Sequence, residues 1–212
     1  MKVIVKNGEP ESLTRYRSAP RATYKDFPDK DGLRASLSAE QRGLCCYCLS
    51  RIRADPLKMK IEHWQSQSQY PDKQLTYGNL LGACRGNEGQ PPKSQHCDTR
   101  KGETNLSRNP ADPRHWVAND IHYLTDGRVI CGDVAFDGEI NDVLNLNGYW
   151  LKTNRKNVLD AFIDLRKKRP TVTLDKWFRH WNGESNSNDL SPFNAVVLYF
   201  IAKESAHAQR AH

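Results

Sequence analysis

The sequence predicts an α+β fold, and three of its features support this prediction. Apolar residues recur at helical spacing in several segments, short alternating segments flank turn dipeptides, and four cysteines fall into two pairs. Hydrophobic residues make up 37% of the 212 residues, which suffices for one sizeable core or for a core with a small satellite. We expect an extended arm over residues 1–30, a cysteine-containing core over 31–108, and a hairpin with helices over 109–212.

The N-terminal part combines an irregular segment with a helix. Residues 1–30 carry prolines among many charged side chains, a composition that favours an extended arm able to wrap a partner. Leu33 and Leu37 lie four residues apart ahead of Gly43. Residues 32–42 are therefore predicted to form a short helix.

A strand hairpin is expected directly after the first cysteines. Two alternating segments, 51–53 and 58–61, flank an Asp-Pro turn at 55–56 and predict a hairpin that ends at residues 62–63. Residues 79–84 follow a polar loop and are predicted to form a new buried segment.

The C-terminal part is predicted to contain a second small sheet and two helices. An Asp-Gly pair at 126–127 is a strong hairpin signal, and it recurs at 137–138. Residues 151–169 have one apolar face and a basic last turn. The final helix is expected to have Ser191 as its cap and Pro192 at its first position, with its apolar face packed on this protein's own core or on a partner. That face consists of Phe193, Val196, Val197, Phe200 and Ile201.

Four of the six cysteines are candidate ligands of a structural zinc ion. No segment is apolar enough for a membrane span or a signal peptide, which favours a cytoplasmic protein, where disulfides are uncommon. Cys45 and Cys48 have the spacing of a zinc knuckle, and Cys84 and Cys97 form a second pair with twelve residues between them. A redox dithiol or buried inert cysteines are the alternatives. The other two thiols are Cys46 and Cys131.

The net charge favours a polyanionic partner. The 32 Lys and Arg against 25 Asp and Glu give +7, which suits association with nucleic acid. A basic protein without such a partner is the alternative.

Polar residues with catalytic chemistry cluster between positions 62 and 101. Glu62 and His63 place a carboxylate beside an imidazole at the end of a predicted strand, where both side chains can turn toward one cleft. Trp64 and Tyr70 follow and could stack on a base, although packing is the expected role of Trp64. The further polar residues of the pattern are Asn79, His96, Asp98, Arg100 and Lys101.

The runs CCYC, IEHW, NLLGAC and HCDTRKG resemble the HNH, or ββα-metal, endonuclease family. The gapped CRGN…HCDTRKG, FDGEI and LNLN are similar to the PtuB HNH subunit of Septu-type and retron-associated anti-phage defence systems. The resemblance covers roughly residues 31–170. It implies a zinc-stapled ββα-metal core that hydrolyses nucleic-acid phosphodiesters.

The resemblance also implies roles for individual residues. His63 would be the general base, because neutral imidazole can accept a proton from water at physiological pH. Asn79 would orient the base or its loop, with helix capping as the alternative. Glu62 and Asp98 would hold Mg²⁺ or Mn²⁺, and His96 could replace either one. The residues expected to contact phosphates are Arg100 and Lys101.

Partners follow from the same resemblance. They are a nucleic-acid substrate, an ABC-like or SMC-like ATPase subunit and, in retron-linked systems, a retron reverse transcriptase with its retron DNA. The main alternative is a catalytically silent zinc-binding adaptor for nucleic acid in the same complex. A purely structural zinc protein would leave the charge and the Glu-His pattern unexplained.

Overall fold

The computed structural model describes residues 1–116, 120–184 and 189–210 and has an α+β fold, as predicted. The described strands form two separate two-stranded antiparallel sheets. The strands are β1 (Met59–His63), β2 (Leu80–Cys84), β3 (Ile121–Tyr123) and β4 (Val129–Cys131). The α-helices are α1 (Glu11–Arg17), α2 (Lys30–Glu40), α3 (Cys97–Lys101), α4 (Val134–Gly138), α5 (Tyr149–Lys167), α6 (Leu174–Trp181) and α7 (Asn194–Arg210).

The first sheet pairs β1 with β2, and this pairing corrects the predicted hairpin. Arg51 only forms an isolated bridge with Leu44, whereas His63 of β1 lies opposite Leu80 of β2. All five residues of β2 are buried, so this strand requires a partner inside the core. The true hairpin therefore closes across the long polar loop that follows His63, and the Asp-Pro turn lies outside it.

The N-terminal segment packs against the core instead of forming an extended arm. It contains α1, whose Leu13 is buried, and Phe27 is 2% exposed. The Ile4 amide donates to the Pro110 carbonyl at 2.8 Å, and Lys6 forms an ion pair with Glu40 of α2. The buried apolar side chains of residues 1–30 account for this packing, because contact with the core removes them from water.

The second sheet confirms the hairpin predicted at the first Asp-Gly pair. Gly127 has a φ of +88°, and a Cβ there would lie 2.1 Å from the Lys152 carbonyl oxygen, so the turn needs glycine. The second Asp-Gly pair lies at the end of α4 rather than in a hairpin. Asp133 caps that helix by accepting from the amides of Ala135 and Phe136, and a π-helical segment, Glu139–Val143, continues it.

Helices α5, α6 and α7 form the C-terminal part, and α6 was not predicted. Val196, Val197 and Ile201 of α7 are at most 1% exposed within this chain. The apolar face of the final helix thus belongs to the protein's own core. The helix begins later than expected, because Phe193 has a left-handed φ of 56° and separates Pro192 from the first turn. No described helix is long and apolar enough to cross a membrane.

Replacement of Ile201 by alanine should destabilise the protein. Ile201 is 1% exposed, and truncating a buried isoleucine leaves a cavity that typically costs about 2–5 kcal/mol of unfolding free energy. Urea denaturation followed by circular dichroism measures this loss. Val134→Ala is the control, because Val134 is 86% exposed; equal loss in both variants would contradict the packing of α7.

Candidate active site and cysteine cluster

Four cysteines from three segments converge on one buried point. Cys45 and Cys48 lie in the turn closed by the Leu44–Arg51 bridge, Cys84 ends β2 and Cys97 begins α3. Their four sulfur atoms all lie within 4.8 Å of one another. Among the described residues this is the only group of three or more His, Cys, Asp or Glu side chains so arranged. The predicted convergence of these cysteines is confirmed.

The electrostatics of the cluster fit a bound cation. Burial raises the pKa of Cys97 and, with hydrogen bonds from neighbouring thiols, keeps it well above its usual value. Burial opposes ionisation of Cys45 too, but hydrogen bonds from the surrounding thiols set its pKa well below the usual value. Four thiols can all ionise in such a site only when a metal compensates their charge. The donor set and its closed, buried geometry are those of a structural zinc site.

His96 lies beside the cysteine cluster. Its Nδ1 is 3.2 Å from the Cys97 sulfur and 3.9 Å from the Cys84 sulfur. Burial lowers the pKa of His96. The structure therefore brings His96 to the thiols, and it shows no contact of this ring with Glu62.

Glu62 is a buried carboxylate in a polar setting. It is 2% exposed near the end of β1. The Tyr47 hydroxyl donates to its Oε1 at 2.7 Å, and the Lys101 ammonium lies 2.9 Å from the same oxygen. Burial raises the pKa of Glu62 well above its usual value, the neighbouring Asp98 carboxylate raises it further, and Lys101 opposes both effects.

Asp98 follows Cys97 directly in the first turn of α3 and approaches Glu62 from the helix. Its Oδ2 is 3.2 Å from the Lys60 ammonium. Two carboxylates side by side repel each other unless cations lie close, which Lys60 and Lys101 provide here. The same oxygen pair suits a hard divalent cation such as Mg²⁺ or Mn²⁺. The site thus holds two of the carboxylates predicted for a metal, one from a strand and one from a helix.

His63 ends β1 with a fixed ring. Its Nε2 is 3.0 Å from the Gln74 carbonyl oxygen, and a carbonyl can only accept, so Nε2 carries the proton and Nδ1 the lone pair. The Tyr24 ring packs edge-on at 4.4 Å between centroids. Burial lowers the pKa of His63 to about 4. The ring is therefore neutral at neutral pH, with Nδ1 as its proton acceptor and the Gln67 side-chain amide 3.4 Å away.

The Asn79 side chain stabilises the loop between β1 and β2 through hydrogen bonds. Its Oδ1 accepts from the Gln65 amide at 2.8 Å, and its Nδ2 donates to the carbonyls of Gln65 and Lys73 at 3.0 and 3.2 Å. These bonds join the beginning of the loop to its end. Because Gln74 follows Lys73, they also position the carbonyl that holds His63.

The two cations expected at phosphates have other partners in the structure. Lys101 is 2% exposed, and its ammonium contacts Glu62 and the His63 carbonyl. The Arg100 guanidinium donates to the carbonyls of Asp142 and Pro92 at 3.1 and 2.9 Å. The ion pair with Glu62 holds the Lys101 side chain inside the protein, and the contact of Arg100 and Lys101 with phosphates stays a prediction.

Two residues of the site were not singled out from the sequence. Tyr47 lies between the first cysteines and reaches Glu62, and its only signal was its place within the CCYC run. Lys60 precedes Glu62 by two residues, so strand alternation places both on one face. Trp64, in contrast, packs against the core and lies 5.9 Å from the His115 ring.

Comparison with known proteins supports the resemblance in its coarse form. No family model matches the chain. A protein of Escherichia coli named "Retron Ec83 putative HNH endonuclease" is 23% identical over an alignment of 228 residues including gaps, and the alignment covers 86% of this chain and 88% of that protein. This distant similarity supports an HNH endonuclease relationship and a nuclease activity.

Replacement of Cys97 by serine should lower the zinc content and the melting temperature together. A structural zinc site contributes directly to folding, with binding energies on the order of 10 kcal/mol in small domains. Elemental analysis of the purified wild-type protein should find one zinc per chain. Cys131→Ser is the matched control, because Cys131 is outside the group of four. A zinc-free wild-type protein that melts normally would contradict the site.

Proposed function

We propose that this protein is a metal-dependent HNH endonuclease that hydrolyses nucleic-acid phosphodiesters. The observation that carries the proposal is the approach of Asp98 from α3 to Glu62 near the end of β1, where His63 is the next residue along the strand. A strand pair followed by a helix, with one carboxylate from the strand, one from the helix and an imidazole at the end of the strand, is the arrangement that the ββα-metal resemblance implies. The charge of +7 suits a polyanionic substrate.

His63 acts as the general base in this proposal. The Gln74 carbonyl fixes the proton on Nε2, so the lone pair on Nδ1 is available for the proton of an attacking water molecule. The exposed Gln67 side chain contacts that nitrogen and would give way to the water. Asn79 keeps the Gln74 carbonyl in place through the adjoining loop, so it acts as a positioning residue.

Glu62 and Asp98 would hold the catalytic Mg²⁺ or Mn²⁺. Such an ion stabilises negative charge on the phosphoryl and leaving oxygens when it is bound. Lys101 and Lys60 contact the same carboxylates, so these ammonium groups keep the charge of the pair balanced. His96 lies against the cysteine sulfurs, which favours the two carboxylates over His96 as the metal ligands.

Zinc at the four cysteines has a structural role in this proposal. All four sulfur atoms face one another and all four residues are buried, so the site has no open position for a substrate. The metal would fix the first residue of α3 to the end of β2. Asp98, the next residue, is thereby held near Glu62.

The biological setting we propose is bacterial anti-phage defence in the cytoplasm. The E. coli relative is named as a retron endonuclease, and the motifs are similar to the PtuB subunit of Septu-type systems. We infer that the chain works beside an ABC-like or SMC-like ATPase, and with a retron reverse transcriptase and its DNA where these are present. Co-purification with the products of neighbouring genes tests this assembly.

The His63→Ala variant should lose cleavage and keep its fold. Loss of a general base typically lowers the rate by about 10²–10⁴-fold. Labelled plasmid, single-stranded DNA and RNA are incubated with protein in Mg²⁺ or Mn²⁺, and products are resolved on denaturing gels. His207→Ala is the control, since His207 is exposed in the last turn of α7. Wild-type cleavage by His63→Ala would refute the mechanism, and no cleavage by any form would favour the silent adaptor.

Substitutions at the two carboxylates should differ in their effect on stability. Glu62→Ala leaves the buried Lys101 ammonium without its partner, and breaking such a pair costs about 3–5 kcal/mol. The variant should therefore lose both stability and cleavage. Asp98→Asn, on the more accessible carboxylate, should lose cleavage with little change in melting temperature. Thermal melts with the cleavage assay distinguish these outcomes, and an Asp98→Asn variant with full activity would exclude this carboxylate as a metal ligand.

A further inference from the structure

Two neighbouring aromatic side chains stand exposed at the start of α5. Tyr149 is 69% exposed and Trp150 is 64% exposed, and their ring centroids lie 5.2 Å apart at an interplanar angle of 75°. Among the described residues, Phe178 is the only other aromatic side chain recorded as exposed, at 37%. Large aromatic rings rarely remain in water as an adjacent pair without a binding role. No role in the core or the candidate active site accounts for them.

The surroundings of this pair are polar and basic. The two rings line a cavity of about 130 Å³ whose lining contains Lys93 and His96 but no acidic side chain. Lys93 is exposed and makes no ion pair with any residue that the structure describes. We call Tyr149, Trp150 and Lys93 the aromatic surface.

Hydrogen bonds connect the segment that precedes α5 to residues 93–97, which lead into the candidate active site. The Asn145 side chain donates to the carbonyls of Lys93 and Gln95 at 3.2 and 2.8 Å, and the Cys97 amide donates to the Leu144 carbonyl at 2.9 Å. His96, which lines the cavity, precedes the candidate metal ligand Asp98 by two residues, so their Cα atoms are at most about 7.6 Å apart. The cavity lined by these rings therefore lies beside the segment that carries the candidate metal ligand Asp98.

We propose that the aromatic surface stacks on unpaired bases of a single-stranded nucleic acid beside the candidate active site. The inference rests on the proposed function for the class of substrate. Exposed aromatic rings beside a cation bind single strands, because each base offers a flat face to the ring and each phosphate a charge to the lysine. In a duplex both faces of a base are already stacked, so the rings select a single-stranded or locally opened segment.

Binding of labelled oligonucleotides tests the proposal directly. All variants carry His63→Ala so that cleavage does not interfere, and fluorescence anisotropy gives Kd for a mixed-sequence single strand and for the same sequence as a duplex. Tyr149→Ala and Trp150→Ala should each weaken single-strand binding by roughly 5- to 100-fold. Trp150→Phe should retain most of the affinity, because it preserves an aromatic face. Phe178→Ala is the matched control and should bind like its parent.

Salt dependence separates stacking from charge. Lys93→Gln should reduce the slope of log K against log salt concentration by about 0.7, the value for one phosphate contact to a single strand. Trp150→Ala should lower affinity and leave that slope unchanged. Thermal melts confirm that each variant remains folded.

Several results would overturn the proposal. Unchanged single-strand affinity in the Tyr149→Ala/Trp150→Ala double variant, or an equal loss for duplex and single strand, would exclude base stacking. A parent protein that binds neither oligonucleotide would overturn it as well. If the wild type cleaves nucleic acid while the double variant binds normally, only this inference fails. If the wild type cleaves nothing while the double variant loses binding, only the proposed function fails.

Discussion

The convergence of four thiols is the constraint on which the rest of the candidate site depends. Cys84 is the last residue of β2 and Cys97 the first of α3, so a metal ion bound by both would join the strand pair to the helix. Met59 lies opposite Cys84 in the sheet, and Glu62 follows three residues further along β1. Since Asp98 is the next residue after Cys97, the cluster determines how closely the two carboxylates approach.

The loop between β1 and β2 supplies the second constraint. Asn79 bonds to Gln65 at the beginning of this loop and to Lys73 near its end. The chain is thereby folded back so that Gln74 faces the His63 ring. A histidine at a strand end would otherwise rotate freely about its side-chain torsions. Here the Gln74 carbonyl selects the tautomer of the ring. The Asn79 side chain, which positions that part of the loop, lies sixteen residues from His63 in sequence.

Local sequence patterns predicted the features that depend on a few neighbouring residues. They did not predict the pairing of strands that lie far apart in sequence. The cysteine set, the turn at Gly127 and helix α5 each follow from spacing or turn chemistry. The partner of β1 did not, because the alternating segment 51–53 lies nearer in sequence and offered a hairpin, whereas residues 79–84 showed only a buried segment without a stated partner. Likewise, the periodicity of residues 194–201 showed an apolar face but contained no information on whether the protein or a partner covers it.

Sequence patterns also failed to predict which charged side chains are buried. A lysine after a metal-binding segment suggested phosphate contact, yet Lys101 is 2% exposed. Its burial has a physical cause, because Glu62 is also buried and repelled by Asp98, and an unpaired carboxylate there would be costly. Lys101 and Tyr47 offset that cost by contacting the same Oε1. The ion pair and the hydrogen bond therefore keep the two carboxylates together without a divalent ion. In the proposed function, the catalytic metal could then exchange while the cysteine cluster preserves the architecture around it.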